Sequence, residues 1–364
     1  MKRAFSLTGS ILWLLLVILG AAPPGELQVE VLVRNLEIPW ALDFAPDGRI
    51  FLTERPGRIR IVRDGRLDPR PWATLPVAHV GEGGLLGLAL SPDFNRTSYV
   101  FVYYTYQRDD QLWNRVVRLV ERGGEGVVDR VILDGIPGAF VHDGGRIKFG
   151  PDGKLYITTG DARTPPLAQD RTSLAGKILR VNPDGSIPAD NPFPRSPVYS
   201  YGHRNPQGLA WHPGTGALYA TEHGPSGERG LCCHDEVNLI RKGMNYGWPE
   251  VVGYSQDQRF VSPILESQND TWAPSGAAFT TQGTWRGTLF FAALRGRALH
   301  SVLLRPDGAQ VARHEALLRD RFGRLRDVVE GPDGALYVLT SNRDGRGIPS
   351  PDDDRLLRIR LPSR

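Results

Sequence analysis

Phe149-Gly150-Pro151-Asp152-Gly153-Lys154-Leu155-Tyr156-Ile157-Thr158 is the stretch that decides the fold. Proline fixes φ at the first turn position, aspartate can bond its own backbone, and glycine supplies a positive φ. The residues after Lys154 are rich in β-branched and aromatic side chains, so they read as a strand leaving a tight turn. The same phrase stands at Phe44-Ala45-Pro46-Asp47-Gly48 before Ile50-Phe51-Leu52-Thr53, and at Glu330-Gly331-Pro332-Asp333-Gly334 before Leu336-Tyr337-Val338-Leu339-Thr340. Degenerate copies are Ser91-Pro92-Asp93-Phe94 before Tyr99, His212-Pro213-Gly214 before Ala217, and Trp285-Arg286-Gly287 before Thr288. Successive prolines lie 46, 59 and 62 residues apart, and Pro332 follows Pro213 by 119, two spacings with the Trp285 copy between them. Six units, each long enough for four strands and their loops, predict a six-bladed β-propeller, an all-β fold. The competing reading is a pair of β-sandwiches with incidental turns.

Both chain ends read as strands, at Val29–Val33 and Leu356–Arg360. They are expected to share one blade and close the ring, which removes the sheet edges that invite aggregation. Arg313–Arg321 is the best helical candidate. No interior linker is rich enough in Gly or Ser to mark a boundary, so 26–364 is read as one propeller domain.

The composition agrees. In 364 residues, 40% are hydrophobic and 23% charged, with 42 Gly and 29 Pro. This excludes a coiled coil, a polytopic membrane protein and a disulfide-stapled miniprotein. The net charge is +4, with no run of five basic residues, so no nucleic-acid partner is expected. Lys occurs only at positions 2, 148, 154, 177 and 242, so nearly all the positive charge is Arg. Lys2 and Arg3, the apolar run Ile11–Leu19 and Gly20-Ala21-Ala22 form the pattern of a secretory signal over about 1–25. The body is therefore expected to be exported, to the periplasm or outside the cell.

Candidate chemistry lies in loops. His142-Asp143-Gly144-Gly145-Arg146 offers a general base, and Thr159-Gly160-Asp161, ending the next strand, could return a carboxylate to orient it. Arg204 beside Asn205 presents a cation and an amide to one planar acceptor. Arg295, Arg324 and Arg326 converging on a channel would suit a multi-carboxylate ligand. Thr221-Glu222-His223-Gly224-Pro225-Ser226-Gly227-Glu228, followed by Asp235-Glu236-Val237-Asn238, makes an oxygen-rich loop that suits Ca²⁺. Asp352-Asp353-Asp354 reads as a solvated turn. Cys232 and Cys233 are adjacent, and a vicinal disulfide, two free thiols and an intermolecular bridge all remain open.

Taken together and in order, Pro39-Trp40-Ala41-Leu42, Gly81-Glu82-Gly83-Gly84-Leu85-Leu86-Gly87-Leu88, His142–Arg146, Gly202-His203-Arg204-Asn205-Pro206-Gln207-Gly208, Glu222–Pro225, Asp235-Glu236-Val237-Asn238 with Asn245-Tyr246-Gly247-Trp248-Pro249, and Arg324–Asp327 resemble the soluble PQQ-dependent glucose/sorbosone dehydrogenases, of aldose sugar dehydrogenase type. The resemblance spans nearly the whole mature chain. It implies pyrroloquinoline quinone (PQQ) and Ca²⁺ at the mouth of a six-bladed propeller. An aldose would be oxidised at the anomeric carbon to a lactone, with an external quinone or cytochrome as electron acceptor, by a monomer or homodimer. His142 resembles the catalytic base and Asp161 its supporting carboxylate. Arg204 and Asn205 would contact the quinone side of the cofactor. Arg295, where the family often has Lys, would bind its carboxylates with Arg324 and Arg326. Glu82 stands where a cofactor-binding Gln is common and needs a compensating charge. The carbonyls of Gly224 and Pro225 resemble ligands of the cofactor-associated Ca²⁺, and Glu236 and Tyr246 a second calcium position. The Cys pair falls in an insertion between Pro225 and Glu236. The alternatives are a calcium-dependent propeller lactonase or esterase, which needs no arginine cluster, and a non-catalytic binding propeller.

Overall fold

A computed structural model describes residues 26–363. The expected signal segment, 1–25, lies outside the described residues, and no described helix is long and apolar enough to cross a membrane.

Six antiparallel sheets form the blades. Their innermost strands are Pro39–Phe44, Leu85–Leu90, Ile147–Phe149, Pro206–Trp211, Pro274–Phe279 and Leu325–Glu330, in blades one to six. Each of the six repeat phrases is the turn from the first to the second strand of one blade. The turn chemistry is as read: Gly48, Gly153 and Gly334 have φ of 87°, 69° and 73°. Asp47, Asp152 and Asp333 each accept, through Oδ1, the backbone N–H two residues on. The sixth blade takes three strands from the C-terminal end and its outer strand, Gln28–Val33, from the N-terminal end. Val29 pairs with Ile359 and Val31 with Leu357, so the ring closes as expected.

Two expectations fail. Arg313–Arg321 is not a helix: Val311–Leu317 is the outer strand of blade five, antiparallel to Ala298–Leu304. Arg313 and Glu315 form an ion pair at 2.6 Å. Residues two apart share a face of a strand, whereas on a helix they would diverge. The Asp352–Asp354 turn is not solvated throughout, because Asp353 and Asp354 are buried. The Asp354 carboxylate accepts the Thr340 hydroxyl at 3.1 Å and the Asn342 amide. Its backbone exchanges bonds with Leu36 at 2.9 and 3.1 Å, lacing the first blade's entry to the last blade's exit.

At the axis sits a buried ion pair. Arg146, just before the inner strand of blade three, donates through Nη1 to Asp327 Oδ2 of blade six at 3.0 Å. Both side chains are essentially inaccessible, 1% and 0% exposed. Arg146 Nε donates to the Gln207 carbonyl of blade four at 2.9 Å, and its guanidinium lies 4.2 Å from the centre of the Trp40 ring of blade one. Asp327 Oδ2 also accepts the Leu42 amide of blade one at 3.1 Å. One cluster thus ties four blades together across the channel.

Removing one partner of a buried pair strands the other charge, at a cost of about 3–5 kcal/mol. Arg146→Leu should therefore lower unfolding stability by about that amount in urea titration. A loss below about 1 kcal/mol would show that the axis is held by other contacts.

Candidate active site

Above the Arg146–Asp327 floor opens a cleft of about 540 Å³. Six arginines line it: Arg163, Arg204, Arg295, Arg324, Arg326 and Arg346. Glu82, Asp143 and Glu228 are the acids on its wall.

His142 caps one end. The loop holds it at φ +66°, a strained value for a residue with a side chain. Its N–H donates to Glu82 Oε2 at 3.1 Å. Its Nδ1 lies 2.8 Å from Asp161 Oδ1, and Asp161 Oδ2 accepts the Trp248 indole N–H at 2.8 Å. With Nδ1–H donating to the carboxylate, the neutral ring keeps Nε2 as an acceptor toward the cleft. Asp161 also accepts the Arg163 amide and donates its own amide to the Arg204 carbonyl, both at 2.8 Å. Between these segments runs Gly160: a Cβ there would fall 1.9 Å from the His142 carbonyl, so only glycine permits this approach.

The structure therefore brings His142, Arg204, Asn205, Arg295, Arg324, Arg326 and Glu82 to one cleft, with Asp161 buried behind His142. Arg204 is buried; its amide donates to Glu222, which also receives His203 Nδ1 at 2.8 Å, and its guanidinium pairs with Glu228. Asn205 Oδ1 accepts the Gly144 amide at 3.0 Å. Arg324 forks onto Asp344 at 2.8 and 3.0 Å, and Arg326 donates to Gln207 Oε1 at 2.7 Å. Trp40 lies between Arg146 and Arg326, whose guanidinium is 5.5 Å from the ring centre. Arg295 stands exposed at the rim.

Several buried polar atoms meet no hydrogen-bond partner among the described residues: Arg204 Nε, Asn205 Nδ2, His223 Nε2 and Arg326 Nε. Such atoms are costly unless a ligand completes them. Burial pushes Arg326 down to about 9 and His223 to about 3. Glu82 is held at about 2: burial works to raise it, and Arg346 and His223 overcome that effect. Arg346 is the compensation its sequence position required.

Gly224 and Pro225 line a separate small cavity behind Arg204, with Glu222, His234, Glu236 and Tyr246. The Pro225 carbonyl accepts the Cys233 amide at 2.9 Å. The Tyr246 hydroxyl is taken by the Leu239 carbonyl and the Arg241 amide, both at 2.7 Å, which leaves its own carbonyl as the candidate for a cation. Burial, then the neighbouring Glu222 and Glu266, raise the Glu236 carboxyl. No group of three or more His, Cys, Asp or Glu among the described residues could hold a metal. Cys232 and Cys233 form a disulfide.

The glucose/sorbosone dehydrogenase model matches residues 36–357. The chain belongs to the glucose/sorbosone dehydrogenase family. Among its relatives, the aldose sugar dehydrogenase YliI of Escherichia coli (strain K12) is 35% identical over 89% of this chain and 92% of that protein. The PQQ-bound form of the aldose sugar dehydrogenase from Streptomyces coelicolor is 40% identical, covers 93% of this chain and 100% of that one, and superposes with a TM-score of 0.83. A Thermus thermophilus oxidoreductase classed as a glucose dehydrogenase is 53% identical over 92% of this chain and 100% of its own, with a TM-score of 0.87. The family's propeller is the fold built here from six turns.

Sequence reasoning did not assign Trp248, Arg346 or Glu228. Trp248 lies in a quoted motif and Glu228 in the oxygen-rich loop, but Arg346 sits outside the repeat register and carries no local signal.

The site yields a pH prediction. Burial raises the Asp143 carboxyl to about 6, even though Asn114 Nδ2 and the Ala139 amide donate to it. Between the ordinary 3.8 and about 6, the folded chain holds a proton the unfolded chain has released, so stability falls as pH rises through that window. Asp143→Asn should gain on the wild type by up to about 3 kcal/mol on going from pH 4 to pH 7 in urea unfolding. An unchanged difference between the two pH values would contradict this.

Proposed function

We propose that this chain is an exported PQQ-dependent aldose dehydrogenase, oxidising a sugar at its anomeric carbon to a lactone and passing the electrons to an external quinone or cytochrome. One observation carries the reading: buried arginines with uncompleted donors surround the same cleft as a carboxylate-oriented histidine. A planar tricarboxylate fits that donor set. Arg295, Arg324 and Arg326 would hold its carboxylates, with Arg204 and Asn205 on its quinone side. Bound there, the quinone supplies a two-electron acceptor for the hydride from the sugar's C1.

The protein's own part is orientation and proton transfer. His142 Nε2 takes the proton of the anomeric hydroxyl as the C1–H bond breaks. The resulting C1=O group belongs to the lactone. Asp161 keeps Nδ1 protonated, and so Nε2 free, and stabilises the imidazolium that forms. Trp248 and the Arg163 amide fix Asp161 in turn. The arginines make an anionic cofactor stable in a buried site, and the bonds to Asp161 and Glu82 hold His142 in its strained loop. The lactonase reading leaves the arginine cluster without a purpose.

Ca²⁺ is proposed at the Gly224 and Pro225 carbonyls, and at Glu236 with the Tyr246 carbonyl. The support is the raised Glu236 carboxyl, whose repulsion from Glu222 and Glu266 a hard cation would relieve. No reaction step is drawn through it.

The test is reconstitution of the mature chain with PQQ and Ca²⁺, following aldose-dependent reduction of a dye. Turnover should need the quinone and fall by about 10²–10⁴ in His142→Ala, the range for losing a general base. Arg326→Gln should weaken PQQ binding by about tenfold or more, the loss of one charge-assisted bond. An absence of PQQ binding, or a His142→Ala variant as active as the wild type, would overturn the reading.

A further inference from the structure

The charges of the cleft are paired around His142. Glu82 ties Arg346 to the His142 amide, and a second carboxylate faces His142 Nε2: Glu228 Oε1 lies 3.6 Å away. Glu228 belongs to the segment between Pro225 and Glu236 that carries the cysteine pair. The segment 225–233 is a closed hairpin. Cys233 N–H donates to the Pro225 carbonyl and Gly227 N–H to the Leu231 carbonyl, each at 2.9 Å. Ser226 and Cys232 form a β-bridge, and Cys232–Cys233 is the disulfide. Cys233 Sγ lies 3.2 Å from the Thr271 hydroxyl on the cleft wall.

That hairpin holds Glu228 still. One carboxylate oxygen is bound by the Arg204 guanidinium and the other by the Ser226 amide. The side chain is only 35% exposed. Burial works to raise its pKa, but Arg204 and the Ser226 amide lower it, so it carries charge at neutral pH. Arg204 keeps Nε unpartnered for another ligand while its outer nitrogen holds Glu228. Arg163 stands exposed at the same rim. Without Glu228, Arg204 would face the space at His142 Nε2 with its charge unpaired and would draw anions there.

We propose that Glu228 sets the charge selectivity of the cleft at His142: it neutralises Arg204, accepts a hydroxyl of a neutral aldose placed at His142 Nε2, and turns away aldoses that carry a carboxylate or phosphate. The proposal rests on the dehydrogenase reading above for its substrate class. The hairpin positions the carboxylate; the cofactor's own carboxylates are left to Arg295, Arg324 and Arg326.

The experiment compares PQQ-loaded wild type, Glu228→Gln and Glu228→Asp. It measures kcat/KM for glucose and for glucuronic acid, and phosphate binding by calorimetry. In Glu228→Gln, the glucuronate-to-glucose ratio should rise by about tenfold, phosphate should bind about tenfold more tightly, and phosphate should inhibit competitively with sugar. Glu228→Asp should restore the wild-type order of both. An enzyme that oxidises glucose but shows unchanged ratio and phosphate affinity in Glu228→Gln would overturn the proposal. A wild type that binds PQQ and oxidises no aldose would overturn the dehydrogenase reading instead, and the phosphate titration would still decide whether Glu228 guards Arg204.

Discussion

Everything at the active end of this propeller stands on one buried ion pair, Arg146 with Asp327. Closing six sheets into a ring leaves a channel, and a channel is a defect unless something fills it. Here the filler is a charge pair, bonded also to the Gln207 carbonyl and the Leu42 amide. A pair of this kind is weak evidence for net stability, because desolvation offsets much of the attraction. Its effect here is geometric. Arg146 lies four residues after His142, and Asp327 lies one after Arg326. Fixing the pair fixes the distance between His142 and the arginines on the opposite blade. Trp40, between Arg146 and Arg326, carries that constraint up to the cleft.

The second constraint is charge. Six arginines line one cleft, and burial, with Arg324 and Arg55 nearby, lowers the Arg326 pKa. The protein answers in two ways. Some guanidinium groups are paired within the chain: Arg324 with Asp344, Arg346 with Glu82, Arg204 with Glu228. Arg326, and Arg204 in spite of its pairing, keep a donor uncompleted at Nε. Those two donors are open to an anionic ligand in the cleft. The same economy explains Glu82, which takes the His142 amide on one oxygen and Arg346 on the other.

Much of this was legible in the sequence because the turn chemistry is local. Pro-Asp-Gly dictates its own geometry, so counting turns counted blades, and alternation at the two ends foretold the shared blade. The His142–Asp161 pair was legible because strand register places Asp161 just past a strand that ends at Thr159. What escaped depends on contacts between distant segments. Arg346 reaches Glu82 across 264 positions, and Arg146 meets Asp327 across 181. No window of sequence contains such pairs. Arg313–Arg321 misled because its charges suggest a helix, whereas an outer strand paired on one side tolerates charge on its open face. Asp354 misled because a run of acids looks solvated, while its neighbours' amides and a hydroxyl draw it inward.

The central claim is that the axial pair positions the site rather than merely filling the channel. Calorimetric titration of PQQ into the Arg146→Met/Asp327→Leu double variant tests it most directly, because apolar replacement of both partners leaves no stranded charge. The account predicts a folded propeller whose affinity for PQQ is about tenfold or more below wild type, equivalent to about 1.4 kcal/mol. A folded double variant that binds PQQ as the wild type does would contradict it.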